Sequence, residues 1–330
     1  MATPAIGNPA MRAELEVRRD RLQAVLSRSG PNASLETLLS EVDAALERVA
    51  KGKFGICEEC HDAIEPGRLA ADPLIRFCVD HLTPGEKAAL QQDLELAYRI
   101  QRGLLPPSDV VTSGWKVHYS YQPFGPVSGD YCDLIQPGGQ GGDLYFLLGD
   151  VSGKGVAASM LMSHLSAMFR SLTGLGITLP EMMSRACRLF SESSIPGQFA
   201  TLVCGRGTPG GEVEICNAGH LPVLLVSDGR VSKLESSGFP LGMFTSASYA
   251  PQKSLLAEGD TLVLYTDGIT ESRNPSGQEY GLERMAHIAG EFPELAPHAL
   301  IAACLRDVET HRNGAPRTDD LTVMVIRRAA

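Results

Sequence analysis

From Trp115 to Arg327 the chain is a succession of short apolar runs, WKVHYSYQPF, DLYFLLGDV, FATLVCG, EVEICNA, PVLLVS, DTLVLYTD and LTVMVIR, separated by clusters of Gly, Asp, Asn and Pro. Runs of this kind, rich in Val, Ile, Tyr and Phe and bounded by turn residues, form strands. Helical stretches interrupt them early, at Val156 to Leu172 and Pro180 to Glu192, and late, at Glu283 to Glu291 and Pro297 to Thr310. Strands with close turns and grouped helices select an α+β layered fold, antiparallel sheets covered by helices.

Four of the turns carry an aspartate where an apolar run begins or stops: Asp130 in VSGDYCD, Asp150 in LLGDVSGKG, Asp267 in LYTDGITE and Asp319 in TDDLTVMVI. A carboxylate at a strand end, beside a glycine that lets the backbone turn, can lean over the sheet edge, and four converging there would bind hard divalent cations. Such a site points to metal-dependent chemistry on phosphate. The turn Gly149-Asp150-Val151-Ser152-Gly153-Lys154-Gly155 is not a Walker phosphate loop, because the glycine spacing is short and Gly155 stands where Ser or Thr is required. Its glycines instead allow the backbone to curl so that the Val151 carbonyl can join the Asp150 carboxylate as a ligand.

A 330-residue chain is long enough for two domains at roughly 100 to 200 residues each. Its net charge of −10 has no basic concentration, which argues against nucleic acid as a partner. The N-terminus has no apolar signal region and no long uncharged apolar segment follows, so a cytoplasmic protein without membrane attachment is expected. Cys132, Cys187, Cys204, Cys216 and Cys304, scattered singly among apolar neighbours, fit small core residues in a reducing compartment.

Ahead of the strands, apolar positions at three- and four-residue steps predict helices over 11–29 and 34–51, broken at Ser29-Gly30-Pro31-Asn32, with Ser34 and Thr37 offering a partial cap. Cys57-x2-Cys60-x17-Cys78-x2-His81 follows. Two knuckle pairs that bring four soft or borderline ligands to one tetrahedral ion leave no position for water, so a single structural Zn2+ is expected; His61 is read as a solvated bystander. Residues 84–105 place Leu90, Leu94, Ala97, Gln101 and Leu104 on a heptad seam that Pro106 and Pro107 end. The seam suits either a helix packed on its own domain or a homodimer contact. The expected organisation is therefore a helical hairpin with a zinc ribbon over 1–83, a linker helix over 84–107 and a catalytic domain over 108–330.

Two resemblances give these parts names. Residues 44 to 82 resemble the zinc-finger module of the DksA/TraR family, with His81 where that family has a fourth cysteine. The hairpin tip, Ser29 to Ala33, lacks the carboxylates with which family members reach into RNA polymerase, which favours a sensory or partner-docking role. In order, VSGDYCD, GDVSGKGVAASML, FATLVCG, NAGHLP, FPLGM, LYTDGITESRN and TDDLTVMVI resemble the metal-dependent (PPM, type 2C) protein phosphatases of the SpoIIE/RsbU-like branch, over 115–327.

The second resemblance implies a two-sheet antiparallel β-sandwich flanked by helices, α-β-β-α, with two Mn2+ or Mg2+ ions at one end. It implies that Asp150 bridges both ions, Val151 offers its carbonyl, Asp267 and Asp319 hold one ion and Asp130 helps hold the other, with Asp320 beside Asp319 and Asp133 as local support. The expected substrate is phosphoserine or phosphothreonine on a regulatory protein, typically a STAS-type anti-anti-sigma factor. The linker helix is expected to pair two copies, and the zinc module to control them. Ser152 stands where eukaryotic relatives have a histidine, and no arginine precedes Asp130 to grip phosphate. A catalytically silent zinc-ribbon adaptor is the alternative, disfavoured because a domain kept only for binding has no need of clustered, mutually repelling carboxylates.

Overall fold

A computed structural model describes residues 9–29, 32–82, 84–139, 141–195, 197–244 and 246–329. The expected break at Gly30 and Pro31 and the extreme N-terminus lie outside them. The chain divides into two compact units, Met1–Asp93 and Leu94–Ala330. No helix among the described residues is long and apolar enough to cross a membrane.

In the first unit, α1 (Pro9–Ser29) and α2 (Ala33–Ala50) form the hairpin, followed by α3 (Pro66–Ala71) and a 3-10 turn at Val79–His81. The cap of α2 is Asn32 rather than Ser34: its side chain accepts the N–H groups of Ser34 and Leu35 at 3.1 and 3.2 Å, satisfying two donors the helix leaves open. Leu15, Val42, Ala45, Phe54, Ile64 and Leu69 are buried together with Cys57 and Cys78, so the cysteine cluster is built into the unit's small core. The helix α4 (Pro84–Leu104) straddles the division between the units.

The second unit has strands β1 (Asp109–Thr112), β2 (Trp115–Gln122), β3 (Asp130–Ile135) and β4 (Leu144–Val151), helices α5 (Gly155–Thr173) and α6 (Leu179–Ser193), and strands β5 (Ala200–Gly207), β6 (Glu212–Ala218), β7 (Val223–Ser227), β8 (Arg230–Leu234), β9 (Gln252–Leu255) and β10 (Thr261–Tyr265). The short helix α7 (Asp267–Thr270), then α8 (Leu282–Glu291), α9 (Pro297–Arg312) and β11 (Leu321–Arg328), complete it. Two antiparallel sheets result, one ordered β1-β2-β11-β10-β7-β8 and the other β3-β4-β5-β6-β9.

Strand periodicity explains the layering. In β4, Leu144, Phe146 and Leu148 face Trp115, Leu262, Leu264 and Met324 of the opposite sheet, whereas Tyr145, Leu147 and Val151 face Met162, Leu165 and Phe190 of α5 and α6. Strand β11 divides likewise, Met324 and Ile326 inward, Val323 and Val325 toward α8 and α9. Both faces of these strands are covered, so their sequences read as continuous apolar runs rather than as alternation. The expected α-β-β-α sandwich is the observed fold.

One strand contact is tight enough to require glycine. A Cβ at Gly149 would meet the Thr201 carbonyl oxygen at 2.4 Å, backbone against backbone. Gly149→Ala should lower the unfolding free energy of the second unit by about 1–3 kcal/mol. Gly103→Ala, in α4 with nothing within 4 Å of its Cβ, should be neutral or stabilising by roughly 0.5–1 kcal/mol. Urea denaturation of the two variants checks the sign difference.

Candidate functional site

The register of the sheets gathers the aspartates. Asp130, the first residue of β3, lies directly opposite Asp150 near the end of β4. From the other sheet, Asp267 opens α7 just after β10, and Asp319 lies two residues ahead of β11, which pairs with β10. The expected turn at Asp267 is thus a single helical turn. Gly268 makes its close approach possible, since a Cβ there would fall 1.9 Å from the Asp320 carbonyl oxygen and 3.3 Å from Asp319 Cβ.

The two sheets meet through hydroxyls. Thr266 Oγ1 donates to Asp130 Oδ2 at 3.0 Å, and Thr322 Oγ1 donates to the same oxygen. Thr322 N–H donates in turn to Thr266 Oγ1 at 3.1 Å. Asp320 faces the β2–β3 loop rather than Asp319: its carboxylate accepts Phe124 N–H at 2.6 Å and Gly129 N–H at 3.1 Å. That loop is also held by Gln101 of α4, whose amide donates to the Ser128 carbonyl at 2.7 Å and accepts Ser128 N–H at 3.0 Å. Gln101, assigned to a heptad seam, is therefore spent inside the second unit. Asp133 is buried in a two-bond pair with Arg170 of α5, both bonds 2.9 Å, and supports β3 on the opposite face.

Electrostatics mark the cluster as one site. Burial, then the Asp150 charge, pushes the Asp130 carboxyl well above the usual carboxylate range, although the Thr322 and Thr266 hydroxyls pull it back. Burial and the charges of Asp267, Asp319 and Asp320 push Asp150 up to about 7. Asp267 is raised by burial, by Glu271 and by Asp319. Lys154 opposes these shifts from the β4–α5 turn, its Nζ 2.7 Å from Asp319 Oδ2.

His220 is spent on structural bonds at both ring nitrogens. It is buried, with Nδ1 2.8 Å from Thr201 Oγ1 and Nε2 3.1 Å from the Tyr265 carbonyl, and burial holds it down at about 4. The neutral ring ties β5 to β10, and Asn217 Oδ1 accepts its backbone N–H at 2.8 Å.

The donor set fits hard divalent cations. All-oxygen ligands with excess negative charge are what Mg2+ and Mn2+ take. Val151 O and Asp150 Oδ1 both border the space beside Gly129, where a Cβ would sit 3.0 and 3.3 Å from them. In the first unit the Cys57, Cys60, Cys78 and His81 ligand atoms all lie within 4.8 Å of one another, the one such group among the described residues; the aspartates do not meet that measure. The Cys60–Cys78 sulfur separation of 3.7 Å equals the edge of a tetrahedron with Zn–S bonds of about 2.3 Å, and His81 Nδ1 lies 3.2 Å from Cys78 Sγ. Burial works to raise the Cys57 thiol, but backbone N–H groups of Cys60, Cys78 and Glu59 hold it at about 6, ready to ligate. His61 is exposed and left-handed, φ 63°.

Both units are similar to known proteins. Residues 140–329 match the family described as Stage II sporulation protein E (SpoIIE), and residues 52–80 match the prokaryotic dksA/traR C4-type zinc finger, a match that stops one residue before His81. Protein IcfG of Synechocystis sp. is 26% identical over 266 residues, covering 72% of this chain and 41% of its own length. Phosphoserine phosphatase RsbU of Bacillus subtilis is 25% identical over 254 residues, covering 74% of this chain and 72% of RsbU. The solved SiaA-PP2C domain of Pseudomonas aeruginosa superposes with a TM-score of 0.64 at 18% identity, over 74% of this chain and 98% of that one, and so shares the fold. The chain spans less than half of the first of these relatives.

The raised carboxyls set a pH dependence. An acid whose folded pKa exceeds its unfolded value binds its proton more tightly when folded, so the stability it contributes is full below about pH 4 and is lost as pH rises toward 7. With divalent ions chelated, the wild type minus Asp150→Asn difference in unfolding free energy should fall steadily across that window, and Mn2+ should restore wild-type stability at pH 8. A flat difference would show that Asp150 is not held among like charges.

Proposed function

This chain belongs to the SpoIIE family, and on that footing we propose that it is a metal-dependent protein-serine/threonine phosphatase acting on a phosphorylated regulatory protein. The observation that carries the reading is the meeting of Asp130 and Asp150 from one sheet with Asp267 and Asp319 from the other, locked by the Thr266 and Thr322 hydroxyls. Asp150, with the Val151 carbonyl beside it, would serve both ions, Asp267 and Asp319 would hold one, and Asp130 would help hold the other. When bound, a pair of Mn2+ or Mg2+ ions supplies charge to offset phosphoryl oxygens and acidifies an attacking water. The protein's own share is positional: Asp320 and Gln101 fix the loop that carries Asp130 into the site, and Gly268 lets the start of α7 lie against the Asp319–Asp320 backbone.

The proposed substrate is phosphoserine or phosphothreonine on a STAS-type anti-anti-sigma factor, a reading supported by the similarity to a relative named phosphoserine phosphatase. The proposed layout assigns residues 1–83 to control, with one zinc at Cys57, Cys60, Cys78 and His81, residues 84–107 to a linker that pairs two copies, and residues 108–330 to catalysis in the cytoplasm.

Hydrolysis of p-nitrophenyl phosphate by the full chain should require Mn2+ or Mg2+ and fall at least about a hundredfold in Asp267→Ala, the scale of losing one electrostatic partner of the transition state. Equal rates in the two proteins would remove the mechanism. For control, Cys57→Ser in the full chain should lower the zinc content and change the hydrolysis rate together. Zinc loss with an unaltered rate would strip the finger of its regulatory role.

A further inference from the structure

A phosphoryl dianion entering a ring of carboxylates needs a cationic side chain at the mouth, and the segment from Trp115 to Gly129 ahead of Asp130 contains no arginine. Two cations elsewhere come near. Arg317 is partly buried and its Nη2 is committed to the Gln122 and Asp319 carbonyls. Lys154 is different. It sits on the turn between β4 and α5, flanked by Gly153 and Gly155 at φ +99° and +72°, conformations that L side chains rarely adopt. Open space surrounds both glycines, so they serve the path of the backbone rather than packing.

That path carries the Lys154 side chain across the site. Its Nζ reaches the Thr318 carbonyl at 2.9 Å and Asp319 Oδ2 at 2.7 Å, and lies 6.0 Å from the centre of the Phe124 ring. Phe124 is itself fixed by its N–H bond to Asp320. The lysine side chain stays 62% exposed, so its ammonium can face a ligand arriving from solvent.

We propose that Lys154 is the phosphate-binding side chain of this site, exchanging Asp319 Oδ2 for a phosphoryl oxygen when divalent ions take the carboxylates. The inference rests on the phosphatase reading and adds the group that grips the substrate. An ammonium on a four-carbon stem makes the exchange readily, because it is a point charge with three rotatable donors rather than a planar fork.

The test is calorimetric titration of inorganic phosphate into the Mn2+-loaded full chain, beside p-nitrophenyl phosphate kinetics, for wild type, Lys154→Met and Lys154→Arg. In Lys154→Met, the phosphate Kd and the ester KM should rise roughly tenfold or more, the loss of one charge-assisted hydrogen bond, and Lys154→Arg should recover most of it. Mn2+ should bind Lys154→Met as tightly as wild type or more tightly, since a competitor for Asp319 is gone. An unchanged phosphate Kd, a wild type that binds no phosphate, or a loss traced to weaker Mn2+ binding overturns the proposal. A wild type that binds phosphate through Lys154 but hydrolyses no ester sinks the phosphatase reading and leaves this one standing.

Discussion

Two threonine hydroxyls from one sheet bonding a single carboxylate oxygen of the other hold this site together. Thr266 and Thr322 lie on adjacent strand ends, and both donate to Asp130 Oδ2 at the opening of the sandwich. That link acts on an acid of the cluster itself, beside the other polar ties between the sheets, His220 from β5 to β10 and the Asp320 carboxylate to Gly129 N–H. The bond also tempers the cost of burying Asp130, because a hydroxyl donating to a carboxylate favours its charged form. The inner core of Trp115, Phe146, Leu148, Leu262 and Met324 sets the sheet spacing, and the hydroxyls convert that spacing into a fixed relation between acids.

The two clusters proposed to bind metal solve opposite problems. The cysteine–histidine group draws its ligands from two tight knuckles, so local backbone geometry alone brings sulfur to sulfur at 3.7 Å. The carboxylates come from four segments far apart in sequence, and the fold must hold like charges together against their repulsion. Burial, and after it the Asp267, Asp319 and Asp320 charges, raise the Asp150 carboxyl, so part of that opposition is visible in its pKa. If cations bind there as proposed, their affinity is linked to pH and to stability.

Much of this is legible in the sequence because the signals are short-range. Runs such as LYFLLGDV and LTVMVIR are buried on both faces, and glycine beside aspartate marks where backbones approach, as at Gly268. Strands β8 and β9 carry no such mark, since RVSKL and QKSL are edge segments with mostly polar, partly exposed side chains. Strand β3 is hidden inside the VSGDYCD motif, where Asp130 and Asp133 interrupt the apolar pattern for reasons of site and ion pair. Asn32 is inconspicuous as a cap because in the sequence it follows Gly30-Pro31 and reads as part of the break rather than as the start of a helix. The supporting residues Gln101, Thr266, Thr322 and Lys154 have no local signal at all, because each acts on a partner between 27 and 192 positions away.

The central claim is that carboxylates from both sheets share a pair of cations through Asp150. Mn2+ titration of the full chain, followed by electron paramagnetic resonance, tests it most directly. Two Mn2+ per chain with exchange-coupled spectra in the wild type, and loss of the coupling in Asp150→Asn, is the result this account predicts. A single uncoupled Mn2+, or the same coupling without Asp150, would contradict it.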